Sequence, residues 1–219
     1  MPNLAALYKF RFRESDLPEK RRIWKTLYED FFRKRVPQNG TVVDLACGYG
    51  EFINNVDAAR KIGVDINPDV RRFLDPSVEF RLLQASEIGT LGESVADLVF
   101  TSNFLEHLHD KEELDRVFEG VRTILKPGGR FLIMGPNIKY LSKEYWDFYD
   151  HYLPLSHLSL EEGLVQAGFE IVEVVPRFLP YSTRSALPKA SFLISMYLKF
   201  PLAWALLGKQ FLVTAARPS

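Results

Sequence analysis

Apolar positions along this chain follow two periods. In ESDLPEKRRIWKTLYEDFFRKRVP (14–37), Ile23, Trp24, Leu27, Tyr28, Phe31 and Phe32 recur at helical spacing and predict an amphipathic helix, with Ser15 as its cap and Pro18 in its first turn. Pro37 and Gly40 close that segment. Short, nearly continuous apolar runs follow: TVVDL (41–45), RKIGVD (60–65), VEFRLL (78–83), ADLVFTS (96–102), RFLIMG (130–135), EIVEVV (170–175) and QFLVTAAR (210–217). Each reads as a strand. EFINNV and PDVRRFL between them read as short helices. DKEELDRVFEGVRTIL (110–125) reads as a longer one, capped by Asp110 and stopped at Lys126-Pro127-Gly128-Gly129. Ser159 and Glu162 have capping-box spacing for a helix ending at Gly168.

Strands that alternate with helices, the early ones apolar throughout, predict an α/β domain around a mostly parallel sheet. The length of 219 residues suits one domain. Within it we distinguish an N-terminal arm and helix (1–38), a core (39–176) containing a substrate-side segment (136–158), an apolar and basic insertion (177–208) and a last strand (209–219). Lys+Arg and Asp+Glu both number 28, so no overall positive field draws the chain to nucleic acid. One cysteine, Cys47, excludes an intrachain disulfide. With no signal-peptide pattern at the start, this points to a cytoplasmic protein.

The chemistry concentrates first in VVDLACGYGEF (42–52). A glycine-punctuated turn after a buried strand lets a ligand approach the backbone. A dinucleotide fingerprint would need a third glycine where Ile53 stands, and a phosphate-binding loop would need Lys-Ser/Thr where Glu51 and Phe52 stand. A carboxylate at that place repels phosphate. Asp65 ends the second strand, at the sheet edge where α/β ligands bind. Its two oxygens suit the two hydroxyls of a ribose, and the alternative is that it caps the next helix.

VVDLACGYGEF, GVDINPD, DLVFTSNFLEHL and ILKPGGRFLIMGPN, in that order, resemble the class I S-adenosylmethionine-dependent methyltransferases, in the small-molecule branch related to methyltransferase types 11 and 23. The resemblance covers roughly residues 40–176. It implies a Rossmann-like sheet of seven strands with helices on both faces, mostly parallel, the last strand antiparallel and beside the sixth. It implies S-adenosyl-L-methionine as cofactor and S-adenosyl-L-homocysteine as product. Gly48 and Gly50, with Ala46 in the same turn, would let the methionine part pass. Asp44 would orient the turn or the cofactor's amino group. Asp65 would hold the ribose, and Ile66 would pack on adenine. Ala85 and Ser86 stand where the family often places an acid for the adenine amino group. Asn103, Phe104 and His107 would line the methionine side, His107 being otherwise a packing or capping residue or a catalyst.

On the acceptor side, GPNIKYLSKEYWDFYDHYLPLSHLSL follows the fifth strand. His151 and His157 are candidate general bases, since imidazole titrates near neutral pH, and Asp150 stands beside His151 to orient it. Asn137, Tyr140, Trp146 and Tyr149 are candidate acceptor contacts. The aromatic run reads equally as a packed lid. Beyond Glu173 there is no acidic residue, and residues 190–207 are almost all apolar apart from Lys199. The Lys199–Pro201 interruption argues against a membrane span and for one or two helices. These would form a lid, a homodimer interface, or a peripheral surface for anionic lipid headgroups. The expected partner is a small-molecule acceptor, a saccharide or lipid-linked saccharide hydroxyl; nucleic acid is the weaker alternative. A methyltransferase-like domain that binds without catalysing, and a nicotinamide-dependent reductase, are the other readings weighed. Tyr8 and Arg11 in YKFRFR could fold over the cofactor or form a loose arm.

Overall fold

The computed structural model describes residues 17–181 and 191–219. Seven strands form one sheet: β1 (Thr41–Leu45), β2 (Arg60–Asp65), β3 (Val78–Leu82), β4 (Ala96–Ser102), β5 (Leu125–Pro136), β6 (Glu170–Val175) and β7 (Gln210–Ala216). Their order is β3-β2-β1-β4-β5-β7-β6. The first five pair in parallel, while β7 runs antiparallel between β5 and β6. Among the described residues, the α-helices of seven residues or more are α1 (Leu17–Leu27), α2 (Lys111–Ile124), α3 (His157–Gln166), α4 (Ser191–Leu198) and α5 (Pro201–Leu207).

Side-chain alternation along the strands divides the core in two, because successive residues of a strand face opposite ways. Val43, Leu45, Val99, Phe131 and Ile133 pack with α2 and α3 on one face. Val42, Leu98, Phe100, Leu132 and Met134 pack on the other, under the N-terminal helix and the insertion. That second layer is built from rings. α1 continues into a π-helical turn (Tyr28–Phe32), which buries Tyr28, Phe31 and Phe32. Phe31 lies 4.4 Å from Phe178 and 5.7 Å from Trp204, and Phe52 stacks on Phe100 at 3.8 Å.

Several expected elements shift in detail. EFINNV and PDVRRFL form 3₁₀ turns, at Ile53–Asn55 and Pro68–Phe73, since short pieces hold that tighter winding. Asn67 caps the second, its side chain accepting from the Asp69 N–H at 3.0 Å, so Asp65 is free of that task. Ser156, one turn earlier than Ser159, caps α3, and Ser159 returns the capping hydrogen bond that Glu162 was expected to supply. Starting there brings Leu160 and Leu164 into the core. The expected cap Ser15 lies outside the described residues, as do Tyr8 and Arg11.

The insertion forms two helices broken at Phe200-Pro201. It starts after the carboxyl end of β6 and returns at the amino end of β7. Because Gln210 pairs with Pro136, both ends lie on the sheet edge where β5 finishes. It is sewn down by polar bonds: the Tyr197 hydroxyl donates to the Phe178 carbonyl at 2.5 Å, the Trp204 indole to the Tyr197 carbonyl at 2.9 Å, and Arg177 to the Leu206 and Gly208 carbonyls. Its outer side leaves Phe192, Phe200, Leu202 and Leu206 exposed. Among the described residues, no helix is long and apolar enough to cross a membrane.

Candidate functional site

The sheet reverses direction of winding at β1/β4, and the crevice outside the strands' carboxyl ends opens there. The turn after β1 enters it with three residues at positive φ: Ala46 (58°), Gly48 (51°) and Gly50 (74°). At Gly50 the requirement is doubled, because a Cβ would stand 2.7 Å from both Asn54 Nδ2 and Leu74 Cδ2. Phe52 pins the far end of the turn through its stack on Phe100.

Three carboxylates converge on this turn. Asp65 accepts from the Gly48 N–H at Oδ2 and the Asn67 N–H at Oδ1, both at 2.9 Å. Desolvation raises its pKa, and those backbone bonds pull against the rise. Asp44 is buried in β1, and burial pushes its carboxyl well above the usual range; the negative charges of Glu51 and Asp65 add to this, against a hydrogen bond from the Ile53 backbone. Glu51 is also raised by desolvation, with Lys20 and then Arg21 of α1 drawing it back. The N-terminal helix therefore brings cations to the turn, a long-range pairing that its alternating charges did not reveal. The Cys47 thiol, buried and facing these acids, is pushed up strongly.

Around this turn the other expected cofactor residues take varied positions. Ile66 is half exposed beyond Asp65, leaving its side chain open to a flat ring. Ala85 and Ser86 begin a 3₁₀ turn capped by Gln84 and are partly buried. Asn103 is exposed at φ 49°, its N–H donating to the Met134 carbonyl at 2.9 Å, and Phe104 packs partly into the core behind it.

The acceptor-side residues divide into three groups. Asn137 is fully buried and spends its side chain on the protein: Nδ2 donates to the Pro176 carbonyl at 2.8 Å and to His157 Nδ1 at 2.9 Å, and Oδ1 accepts from the Lys139 N–H. It is a hub between β5, α3 and β6, with no edge left for an acceptor. His157, at the start of α3, is held on Nδ1 by that amide and covered by the stacked ring of Tyr140; burial lowers its pKa. Tyr140 in turn carries the Arg177 guanidinium 4.9 Å over its ring. Trp146 and Tyr149 point outwards, whereas Tyr145 is the buried ring of the aromatic run, its hydroxyl donating to the Leu153 carbonyl at 2.6 Å.

His107 and His151 form the third group, with ring centres 5.1 Å apart. Asp150 was expected to orient His151. It lies against His107: its carbonyl is 2.9 Å and its Oδ2 3.3 Å from His107 Nδ1. His151 is buried against Phe148, stacked at 4.8 Å, and Tyr145. Sequence reasoning missed Glu106, which lies beside both histidines, because an acid in LEHL gives no sign of burial. A cavity of about 280 Å³ lined by Lys34, Arg35 and Arg130 lies near the opposite edge of the sheet, away from all of these groups.

A family model described as a methyltransferase domain matches residues 17–174. Among solved structures, a SAM-dependent methyltransferase from Archaeoglobus fulgidus is 22% identical, with 88% of this chain and 94% of that one covered and a TM-score of 0.64. A chain of the complex formed with the Haloferax volcanii Trm112 methyltransferase activator is 20% identical over 96% of this chain and 97% of its own, with a TM-score of 0.70. The [4+2]-cyclase SpnF is 18% identical over 90% and 80%, with a TM-score of 0.62. No curated protein matches the chain.

Proposed function

Since the chain belongs to the methyltransferase domain family, we propose that it moves a methyl group from S-adenosylmethionine to an oxygen of a small acceptor, a saccharide or lipid-linked saccharide. The observation that carries this is the convergence of Asp44, Glu51 and Asp65 on a glycine turn. Acids raised by burial, Asp44 further by the charges of Glu51 and Asp65, are relieved by a cation. S-adenosylmethionine supplies a sulfonium and an ammonium, while a dinucleotide or nucleoside phosphate would add negative charge. The remaining lone pairs of Asp65 accept the two ribose hydroxyls, since each carboxylate oxygen takes more than one donor. Ile66 lies against adenine, Ala85 and Ser86 offer it small polar or backbone contacts, and Asn103 and Phe104 face the methionine side.

In the transfer, the carbon–sulfur bond breaks with its electron pair going to sulfur, and the acceptor oxygen bonds to that carbon. The sulfur ends neutral. The protein's task is alignment and desolvation, plus removal of one proton from the acceptor hydroxyl. His151 is the candidate base, buried in an aromatic setting at the acceptor side. Asp150 reaches the site through His107, and His157 is the secondary candidate. Tyr140, Trp146 and Tyr149 offer rings to the acceptor.

The apolar outer side of α4 and α5, at the same edge of the sheet as the crevice, supports a lipid-linked acceptor and a peripheral membrane contact. An activator subunit of the kind found with the Haloferax chain is a further partner to screen. The rival reading is a domain of this fold that does no methyl transfer, for which the cyclase is precedent. An acceptor screen with labelled cofactor separates the two. Label must appear in an acceptor, and His151→Ala must lose turnover by at least ~100-fold, the usual contribution of a positioned base, while keeping cofactor binding. Unchanged turnover in that variant removes His151 from the chemistry.

A further inference from the structure

Among the described residues, one cluster outside the glycine turn brings metal-ligating groups together. Glu106, His107 and His151 each offer a ligand atom, and the three atoms lie within 4.8 Å of one another. Glu106 is 3% exposed and His151 5%, so carboxylate and imidazole meet in a nearly dry place. They come from two segments, the turn after β4 and the stretch after β5. Backbone bonds lock these together: the Glu106 carbonyl accepts from the N–H groups of Tyr152 (2.9 Å) and Leu153 (3.2 Å). Phe148 and Tyr145 hold the His151 ring in place.

The partner of His107 settles its tautomer. A carbonyl can only accept, so with Nδ1 against the Asp150 carbonyl a neutral His107 carries its proton on Nδ1 and keeps the lone pair on Nε2. A ligating histidine characteristically donates its other N–H to a carbonyl or carboxylate, which fixes the ring and raises its basicity. Asp150 offers both groups.

We propose that Glu106, His107 and His151 bind a divalent first-row transition ion, with Asp150 as the positioning residue behind His107. Two imidazoles and one carboxylate suit zinc, manganese or iron(II) rather than the all-oxygen cations magnesium and calcium. Three protein ligands leave a coordination position open. An ion with bonds of about 2.1 Å would draw the donor atoms to roughly 3.4 Å apart in a tetrahedral site. Binding stands on the cluster alone; the role given to it rests on the methyltransferase reading. There the open position takes the acceptor hydroxyl, the ion acidifies it, and the proton leaves to solvent. His151 then acts as a ligand rather than as the base.

The test is titration of the chelator-stripped full chain with Zn²⁺ by calorimetry, and with Co²⁺ by visible absorption, alongside S-adenosylmethionine titration of each sample. The expected result is one equivalent of Zn²⁺ and ligand-field bands for Co²⁺. Affinity should fall at least tenfold in Glu106→Gln and His151→Gln, and also in the half-exposed His107→Gln, whose fold is least at risk. Wild type taking up no Zn²⁺, or the His107 variant taking it up unchanged, overturns the proposal. If Zn²⁺ binds and S-adenosylmethionine does not, the metal site stands and the methyltransferase reading falls; the reverse result separates them the other way.

Discussion

The two halves of the crevice are built differently. On the side of the glycine turn, three positive-φ residues and Glu51 lie in the turn after β1, with Asp44 in β1 and Asp65 at the end of β2, and backbone conformation dictates their geometry. On the acceptor side, the polar groups stand on irregular segments after β4 and β5 and under a two-helix insertion. The first arrangement is set by backbone conformation and gathers acids raised by burial. The second holds its histidines by a mixture of near neighbours, Tyr145 and Phe148 on His151, and distant groups, Asp150 on His107 and Asn137 on His157. A ligand shared by a whole family suits the first kind of site, and an acceptor that differs between members suits the second.

Breaking the backbone of the cofactor half should have the largest effect. Gly50→Ala forces a Cβ onto Asn54 and Leu74 at a positive φ. It should cost about 1–3 kcal/mol of stability and abolish cofactor binding, read by thermal melts and titration. A variant as stable and as competent as wild type would show that the turn is more plastic than its geometry implies.

Charge strain predicts an opposite pairing of effects at Asp44. The native carboxyl is raised above its ordinary value of 3.8, so the folded state holds its proton more tightly than the unfolded chain does. Stability from this group is therefore lost as pH rises from the ordinary value through the raised one. Asp44→Asn should melt a few degrees higher than wild type at pH 7, with the gap closing as pH falls towards 4. It should bind S-adenosylmethionine roughly tenfold more weakly, about 1.4 kcal/mol. A melting gap that widens on acidification would contradict the assigned strain.

The smallest effect on the crevice is expected from the insertion's outer side. Leu202→Glu with Leu206→Glu should leave melting and cofactor affinity within error, since both side chains are exposed. The pair should abolish flotation with anionic vesicles. If wild type does not float, the peripheral membrane contact is wrong and the exposed face needs another partner.

The same contrast governs how far the sequence could be read. β1, β2, β4 and β6 lie at the predicted bounds; for β1 and β4, central strands buried on both faces leave nearly uninterrupted apolar runs, whereas β6 is an edge strand marked off by Gly168 before it and Pro176 after it. The glycine turn and Asp65 were legible because backbone conformation and strand ends constrain residue type directly. Glu106 was not, nor was the pairing of Asp150 with His107, since irregular segments carry no period from which to infer a side chain's direction. The cap of α3 is Ser156, whose partner three residues on is Ser159 rather than the Glu or Gln of the usual pattern, so the pattern pointed to Ser159 and Glu162 one turn later. The approach of Lys20 and Arg21 to Glu51 is a tertiary pairing, visible only once α1 is docked.

The central claim is that the acid-lined glycine turn binds S-adenosylmethionine. Calorimetric titration of the wild-type chain and of Asp65→Ala, with S-adenosylmethionine and with S-adenosylhomocysteine, tests it most directly. The account predicts micromolar binding of both ligands to wild type, lost in the variant. A folded wild-type chain that binds neither, or a variant that binds as tightly as wild type, would contradict it.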